Sequence, residues 1–161
     1  MIHVRDATPG DLESLFRFNQ ELAGETEGRH LPDDVLRLGI LGALNHPNRL
    51  HYWVAVQSDD PNVPIGQAAV SYEWSDWRNG WIWWLQSVFV DADYRGHGAF
   101  RALLDAIHDA ARKDEQVIGL RLYVEHENAR ARSVYEKVGF VPAGYEVMEL
   151  MWGDVTSRPG H

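Results

Sequence analysis

Apolar and polar positions change period several times along the chain, and each change marks an element. Residues 2–5 alternate as a short strand does. Thr8 then precedes Pro9, with Asp11 three residues after the threonine: a helix start with a capping residue, a first-turn proline and a partial capping box. Leu12, Leu15, Phe16, Asn19 and Leu22 recur at helical spacing. A second helix carrying Leu36, Ile40, Leu41 and Leu44 follows Pro32 and ends near His46 and Pro47. Residues 52–57 are β-branched and aromatic, residues 58–64 are turn material, and residues 65–74 read as the returning strand of an antiparallel pair. After a turn, residues 81–90 form a long apolar and aromatic strand.

Beyond that strand the pattern changes from a meander to strand and helix in alternation. Residues 91–98 close the strand, and residues 99 to about 116 carry leucine and alanine at helical period. A strand over 119–124, a helix over 128–138 stopped by Gly139, and a final strand over 145–152 complete the series. The predicted architecture is a mixed, twisted central sheet of about six or seven strands flanked by helices. One domain over residues 1–152 and a frayed tail over 153–161 are expected.

Composition narrows the chemistry. With 161 residues, 45% of them hydrophobic, the chain has enough apolar material for one core. It has no cysteine, which excludes disulfides, thiolate zinc sites and an enzyme-bound thioester. The net charge of -9 argues against a nucleic-acid partner, since such partners are held mainly by basic surface. No segment approaches the roughly 20 apolar residues of a membrane helix and no basic run leads into an apolar stretch, so a cytoplasmic protein without membrane spans is expected. The histidines are scattered and imply no metal site.

Two stretches carry candidate chemistry. Residues 94–100, Tyr-Arg-Gly-His-Gly-Ala-Phe, join a strong strand to a strong helix, so successive backbone N–H groups converge where a diphosphate is well accommodated. Gly96 and Gly98 permit the tight turn and a close anion, although two glycines before a helix also suit an ordinary turn. The second stretch runs from Asn128 through Ala131, Tyr135, Lys137 and Gly139 to Phe140.

Together these stretches resemble the GNAT acetyltransferase superfamily. The loop matches its Arg/Gln-x-x-Gly-x-Gly/Ala motif at Arg95 and Gly98, and the later stretch matches Asn-x-x-Ala-x-x-x-Tyr-x-Lys-x-Gly-Phe at every specified position. The element order over residues 2–152 agrees. The resemblance implies acetyl-CoA as cosubstrate and transfer of its acetyl group directly to a primary amine of a small molecule or peptide. It implies that the backbone of Val88, Phe89 and Val90 pairs with the pantetheine arm. It further implies that the loop amides of Gly96, His97, Gly98, Ala99 and Phe100 hold the pyrophosphate, with Arg95 and Arg101 near the phosphates and Asn128 on the pantetheine. Tyr135 would be the general acid that protonates the departing thiolate; otherwise it is a helix residue packing on the sheet.

This chain departs from that pattern at two places. Phe100 stands where the family usually has glycine or alanine, so its ring must turn away from the phosphates or against the sheet. Gln86 stands where many relatives have a glutamate base, and an amide cannot take the amine's proton. Glu73 is the first candidate for that role, followed by Asp76, Glu125 and His126. A non-catalytic acyl-CoA binding or sensing module is the alternative. Five of the seven tryptophans fall within residues 74–84, as core and helix packing, as an aromatic wall for a cationic amine, or as the surface of a homodimer.

Overall fold

The computed structural model describes residues 1–153. The sheet has five strands in the order of the chain: β1 (Ile2–Asp6), β2 (His51–Gln57), β3 (Asp60–Ser75), β4 (Gly80–Val90) and β5 (Val117–Leu122). The first four run antiparallel, and β5 returns parallel to β4 after a helical crossover. Helices α1 (Leu12–Glu27) and α2 (Asp33–Asn45) join β1 to β2, α3 (Ala99–Lys113) joins β4 to β5, and α4 (Ala129–Lys137) follows β5. No described helix is long and apolar enough to cross a membrane.

Each sheet face has its own apolar filling. Leu103, Leu104 and Ile107 of α3 pack with Trp53, Ala55, Val70 and Leu85 on one side. On the other, Leu15 and Ile40 from α1 and α2 meet Tyr52, Val54, Val56 and Ala69. Strand alternation produces this division: the even positions 52, 54 and 56 face α1 and α2, and the odd positions 53 and 55 face α3. The start of the first helical segment follows the reading of Thr8 and Asp11. The Thr8 N–H donates to Asp11 Oδ2 at 2.7 Å, and a short 3-10 turn at Pro9–Asp11 leads into α1.

The strand count is lower than the six or seven expected, because residues 145–152 do not form the final strand. Between Gly139 (φ +106) and Gly144 (φ +80) the chain passes Pro142, which has no N–H, and turns without joining the edge of β5. Val147, Met148 and Leu150 are consequently exposed. The fifth strand also begins two residues earlier than the sequence pattern predicts, at Val117, where the Trp81 N–H reaches the Gln116 carbonyl at 2.8 Å. The tail expected to fray, apart from Gly153, lies outside the described residues.

Two features position the site. Strands β4 and β5 pair only from Trp81 to Leu85, so the second half of β4 has β3 on one side and an open edge on the other. That open half begins at a bulge, where Gln67 and Ala69 oppose Phe89 and Gln86 and β4 carries one extra residue. Ser87 there has φ +52, the left-handed region that few side-chain-bearing residues adopt. Gln67, fully buried, donates from Nε2 to the Ser87 carbonyl at 2.9 Å. Asn19 Nδ2 lies 3.3 Å from the Tyr52 hydroxyl and 3.5 Å from Gln67 Oε1, which extends this buried polar chain to α1.

Two expectations follow from these contacts. Replacing Gln67 by Leu strands the Ser87 carbonyl, and urea unfolding should show a loss of about 1–3 kcal/mol. Asp11 is buried, which pushes its carboxyl up, but hydrogen bonds from Arg5 and from the Thr8 N–H, with the Arg5 charge, outweigh burial and hold it below its ordinary 3.8. A depressed carboxyl contributes stability above its unfolded value that is lost as pH falls through the folded one. Asp11→Asn should therefore flatten the fall of the urea midpoint on acidification below pH 3.8.

Candidate functional site

The link from β4 to α3 is made by backbone geometry. Asp91 caps a 3-10 turn at Ala92–Tyr94 by accepting from the Asp93 N–H at 3.2 Å. Gly96 and Gly98 then take φ of +80 and +93, and Gly98 is the N-cap of α3. A side chain on either glycine would meet nothing within 4 Å, so the loop surface is unobstructed, yet the backbone conformation there favours glycine. The first N–H donor of α3 to find a helical acceptor is Ala102, bonded to the Gly98 carbonyl at 2.9 Å. Among the described residues, none of the backbone N–H groups from Gly96 to Arg101 donates to a backbone carbonyl. A helix start with this many unpartnered donors is a concentrated positive dipole end.

The side chains expected near phosphates are engaged by carboxylates. Arg95 places Nη2 3.0 Å from both oxygens of Glu25, donates from Nε to the Val90 carbonyl at 2.9 Å, and sits over the Phe89 ring. Arg101 donates to Asp105 at 2.9 Å, one turn along α3. His97 is exposed. On the strand, Phe89 and Val90 are buried, Phe89 against Phe18 of α1, and Val88 is half-buried on the α3 side. Ala99 is buried beneath the loop.

Phe100 turns into the core rather than over the loop, and its ring meets Tyr135 edge-on at 5.9 Å. Phe140 also meets the Tyr135 ring edge-on, at 5.6 Å between centroids. Tyr135 is thereby held between the N-terminus of α3 and the end of α4. Burial pushes its pKa up to about 12, so it keeps its proton throughout the neutral range. Asn128 caps α4 by accepting from the Ala131 N–H at 3.1 Å, which leaves its Nδ2 as the group able to donate elsewhere.

A broad open cleft runs past β5, α4 and residues 141–149, and Tyr135, Glu73, Trp84, Arg121, Glu125 and His126 are all on its wall, with Glu73, Trp84 and Arg121 on the sheet face opposite Tyr135. The loop residues and Val88, Phe89 and Val90 are not on its wall. Glu73 reaches across β4: its carboxylate accepts from Trp84 Nε1 at 3.2 Å and pairs with Arg121 Nη1 at 2.8 Å. Trp84 also packs against Tyr123, their ring centroids 4.5 Å apart and the planes tilted by 32°. Gln86 donates to the Ser71 hydroxyl. Asp76 lies in the hairpin turn, accepting from the Trp77 N–H, and does not line the cleft. Leu85 and Leu122 are the last pair joining β4 to β5. Glu125 is as far past that pair on its chain as Val88 is on β4.

Of the tryptophans, Trp83 packs with Tyr72 and Trp53 in the α3-side core, Trp74 meets Trp81 edge-on at 5.1 Å, and Trp77 is exposed at the turn. Sequence reading missed Arg121 as the partner of Glu73. Its signal was its alternation with Leu120 and Leu122, which places it on the same sheet face as Trp84. Among the described residues no group of three or more His, Asp or Glu is placed to hold a metal.

An acid whose folded pKa is raised loses stability as pH climbs from the unfolded value, near 10, toward the folded one, because only the unfolded state has released its proton. Tyr135→Phe should remove that share of the alkaline loss between pH 10 and about 12, read as a shallower fall of the urea midpoint.

Comparison with known proteins bears on the family and the fold. The model of the acetyltransferase (GNAT) family matches residues 12–140. A possible acetyltransferase from Clostridium difficile superposes with a TM-score of 0.87 at 39% identity, covering 94% of this chain and 98% of that one. The structure of a predicted acetyltransferase with acetyl-CoA from Clostridium acetobutylicum shares the fold, with a TM-score of 0.73 at 23% identity over 94% of this chain and 96% of that one. A mycothiol acetyltransferase from Beutenbergia cavernae is 49% identical over 53 residues, which are 33% of this chain and only 18% of that relative.

Proposed function

The chain belongs to the acetyltransferase (GNAT) family, and from that premise we propose that it binds acetyl-CoA and moves the acetyl group directly to a primary amine. The observation that carries the reading is the row of unpartnered N–H groups from Gly96 to Arg101 beside the open half of β4. A diphosphate satisfies the first, and an extended pantetheine arm suits the second as a strand suits a free edge. Tyr135, held beside Phe100, stands next to this arrangement.

In the proposed reaction the neutral amine attacks the thioester carbonyl carbon, and a backbone N–H in the Val88 to Val90 stretch polarises its oxygen. The C–N bond forms, the C–S bond breaks, and the thiolate takes the phenolic proton of Tyr135. Tyr135 then recovers a proton from solvent. The amine gives up its own proton to a carboxylate, an imidazole or water. Both carboxylate oxygens of Glu73 already accept hydrogen bonds, from Trp84 Nε1 and Arg121 Nη1, which leaves Glu73 less available to take the amine's proton. Glu125 and His126, which line the same cleft and have no side-chain partner among the hydrogen bonds described, are then the better candidates for proton removal.

A second reading, an acyl-CoA binding or sensing module, is favoured by Gln86 and by the engagement of Glu73. Calorimetric titration with acetyl-CoA tests both readings, and failure of the protein to bind it overturns both. A panel of polyamines, aminoglycosides, amino acids and lysine peptides, assayed for free thiol, separates them: release with one class supports transfer, and binding without release supports sensing. Where thiol is released, Tyr135→Phe should lower turnover by about 100-fold or more while acetyl-CoA affinity stays within about threefold. Unchanged turnover would remove Tyr135 from its role.

A further inference from the structure

The open half of β4 lacks the neighbour that holds the rest of that strand in place, so something else must fix it. Helix α1 touches it and the loop beyond at alternate positions. Asn19 reaches the bulge at Ser87 through Gln67, and Phe18 meets Phe89 with ring centroids 5.5 Å apart. Arg17 Nη2 lies 2.8 Å from Asp91 Oδ2, and Glu25 holds the Arg95 guanidinium at 3.0 Å. The guanidinium of Arg17 covers the Phe18 ring and that of Arg95 covers Phe89, so the two ion pairs flank one aromatic contact. The Arg95 Nε bond to the Val90 carbonyl ties the end of the strand into the same group.

We propose that α1 positions the cofactor-facing half of β4, with Arg17 and Glu25 as positioning residues and Arg95 as the tie from helix to loop rather than a phosphate ligand. This rests on the reading of the loop and open strand as the acetyl-CoA site. Burial pushes the Asp91 carboxyl up, but the Arg17 hydrogen bond, the Asp93 N–H and the charges of Arg17 and Arg95 outweigh it and hold it ionised, as the arrangement requires. Both pairs are partly exposed, so neither alone is strong. Their contribution lies in geometry: N–H donors serve a diphosphate only when the strand end and the helix start keep their spacing.

The two roles for Arg95 predict opposite results when Glu25 is neutralised. If Arg95 is a phosphate ligand, Glu25→Gln releases it toward the cofactor and affinity stays level or rises. If it is a tie, affinity falls by roughly three- to fivefold, the range expected for losing a half-exposed pair. Reversing the pair gives the sharper result. Arg95→Glu alone should weaken acetyl-CoA binding, and Arg95→Glu with Glu25→Arg should recover the part carried by the ion pair, though not the part carried by the Nε bond to the Val90 carbonyl, whereas a lost phosphate ligand cannot be restored from α1.

The experiment measures acetyl-CoA affinity by calorimetry for the wild type, both single variants and the double variant. It also measures amide exchange without ligand at Asp91, bonded to the Ile65 carbonyl, and at Tyr94, bonded to the Asp91 carbonyl. Faster exchange at these two amides in Glu25→Gln, with an unchanged urea midpoint and rescue in the double variant, is the expected result. Equal or tighter binding by Glu25→Gln, or no rescue by the reversal, overturns the proposal. Should the wild type itself fail to bind acetyl-CoA, the functional reading falls separately. The exchange arm then decides the tie, and unchanged protection in Glu25→Gln overturns it.

Discussion

The parting of β4 from β5 after Leu85 and Leu122 is the constraint on which the rest of the molecule depends. Two parallel strands left to themselves continue pairing, because every unpaired N–H and C=O along an edge is a lost hydrogen bond. Here the extra residue at the bulge and the left-handed backbone of Ser87 re-aim β4, and fully buried Gln67 supplies the hydrogen bond that makes this conformation tolerable. A polar side chain in a core costs stability unless it is paired. Its presence in the interior is accounted for by the carbonyl it satisfies.

From that constraint the placement of the other parts follows. Because β4 leaves β5 after Leu85, its second half has an open edge, and the chain runs from that half directly into the loop whose amides from Gly96 to Arg101 have no backbone partner. Phe100 roots the first turn of α3 in the core and in doing so braces Tyr135. On the opposite sheet face, Glu73, Arg121, Trp84 and Tyr123 combine charge and aromatic surface at the mouth of a broad cleft. Chemistry on the two faces is separated by the thickness of one sheet.

How much of this was legible depends on the range of the interactions involved. Thr8, Pro9 and Asp11 announce a helix start because capping is local, and the stretch from Asn128 to Phe140 is readable because a cap, a phenol and a stop all lie on one short helix. The bulge left no mark, since Ser87 is one small residue within an apolar run. Contacts such as Arg17 with Asp91, 74 positions apart, belong to tertiary structure and have no period in the sequence. Residues 145–152 read as a final strand in the sequence, yet a strand needs a partner as well as a composition, and the turns at Gly139 and Gly144 do not deliver it to β5.

The glycine turn before α3 offers its ligand main-chain atoms, and these are the same in every residue except proline. Apart from Gly96 and Gly98, whose positive φ favours glycine, positions in such a turn can change their side chains without changing the donors they present. Phe100 is an instance: its bulky ring packs into the core beside Tyr135, and the amide it contributes to the turn is unaltered.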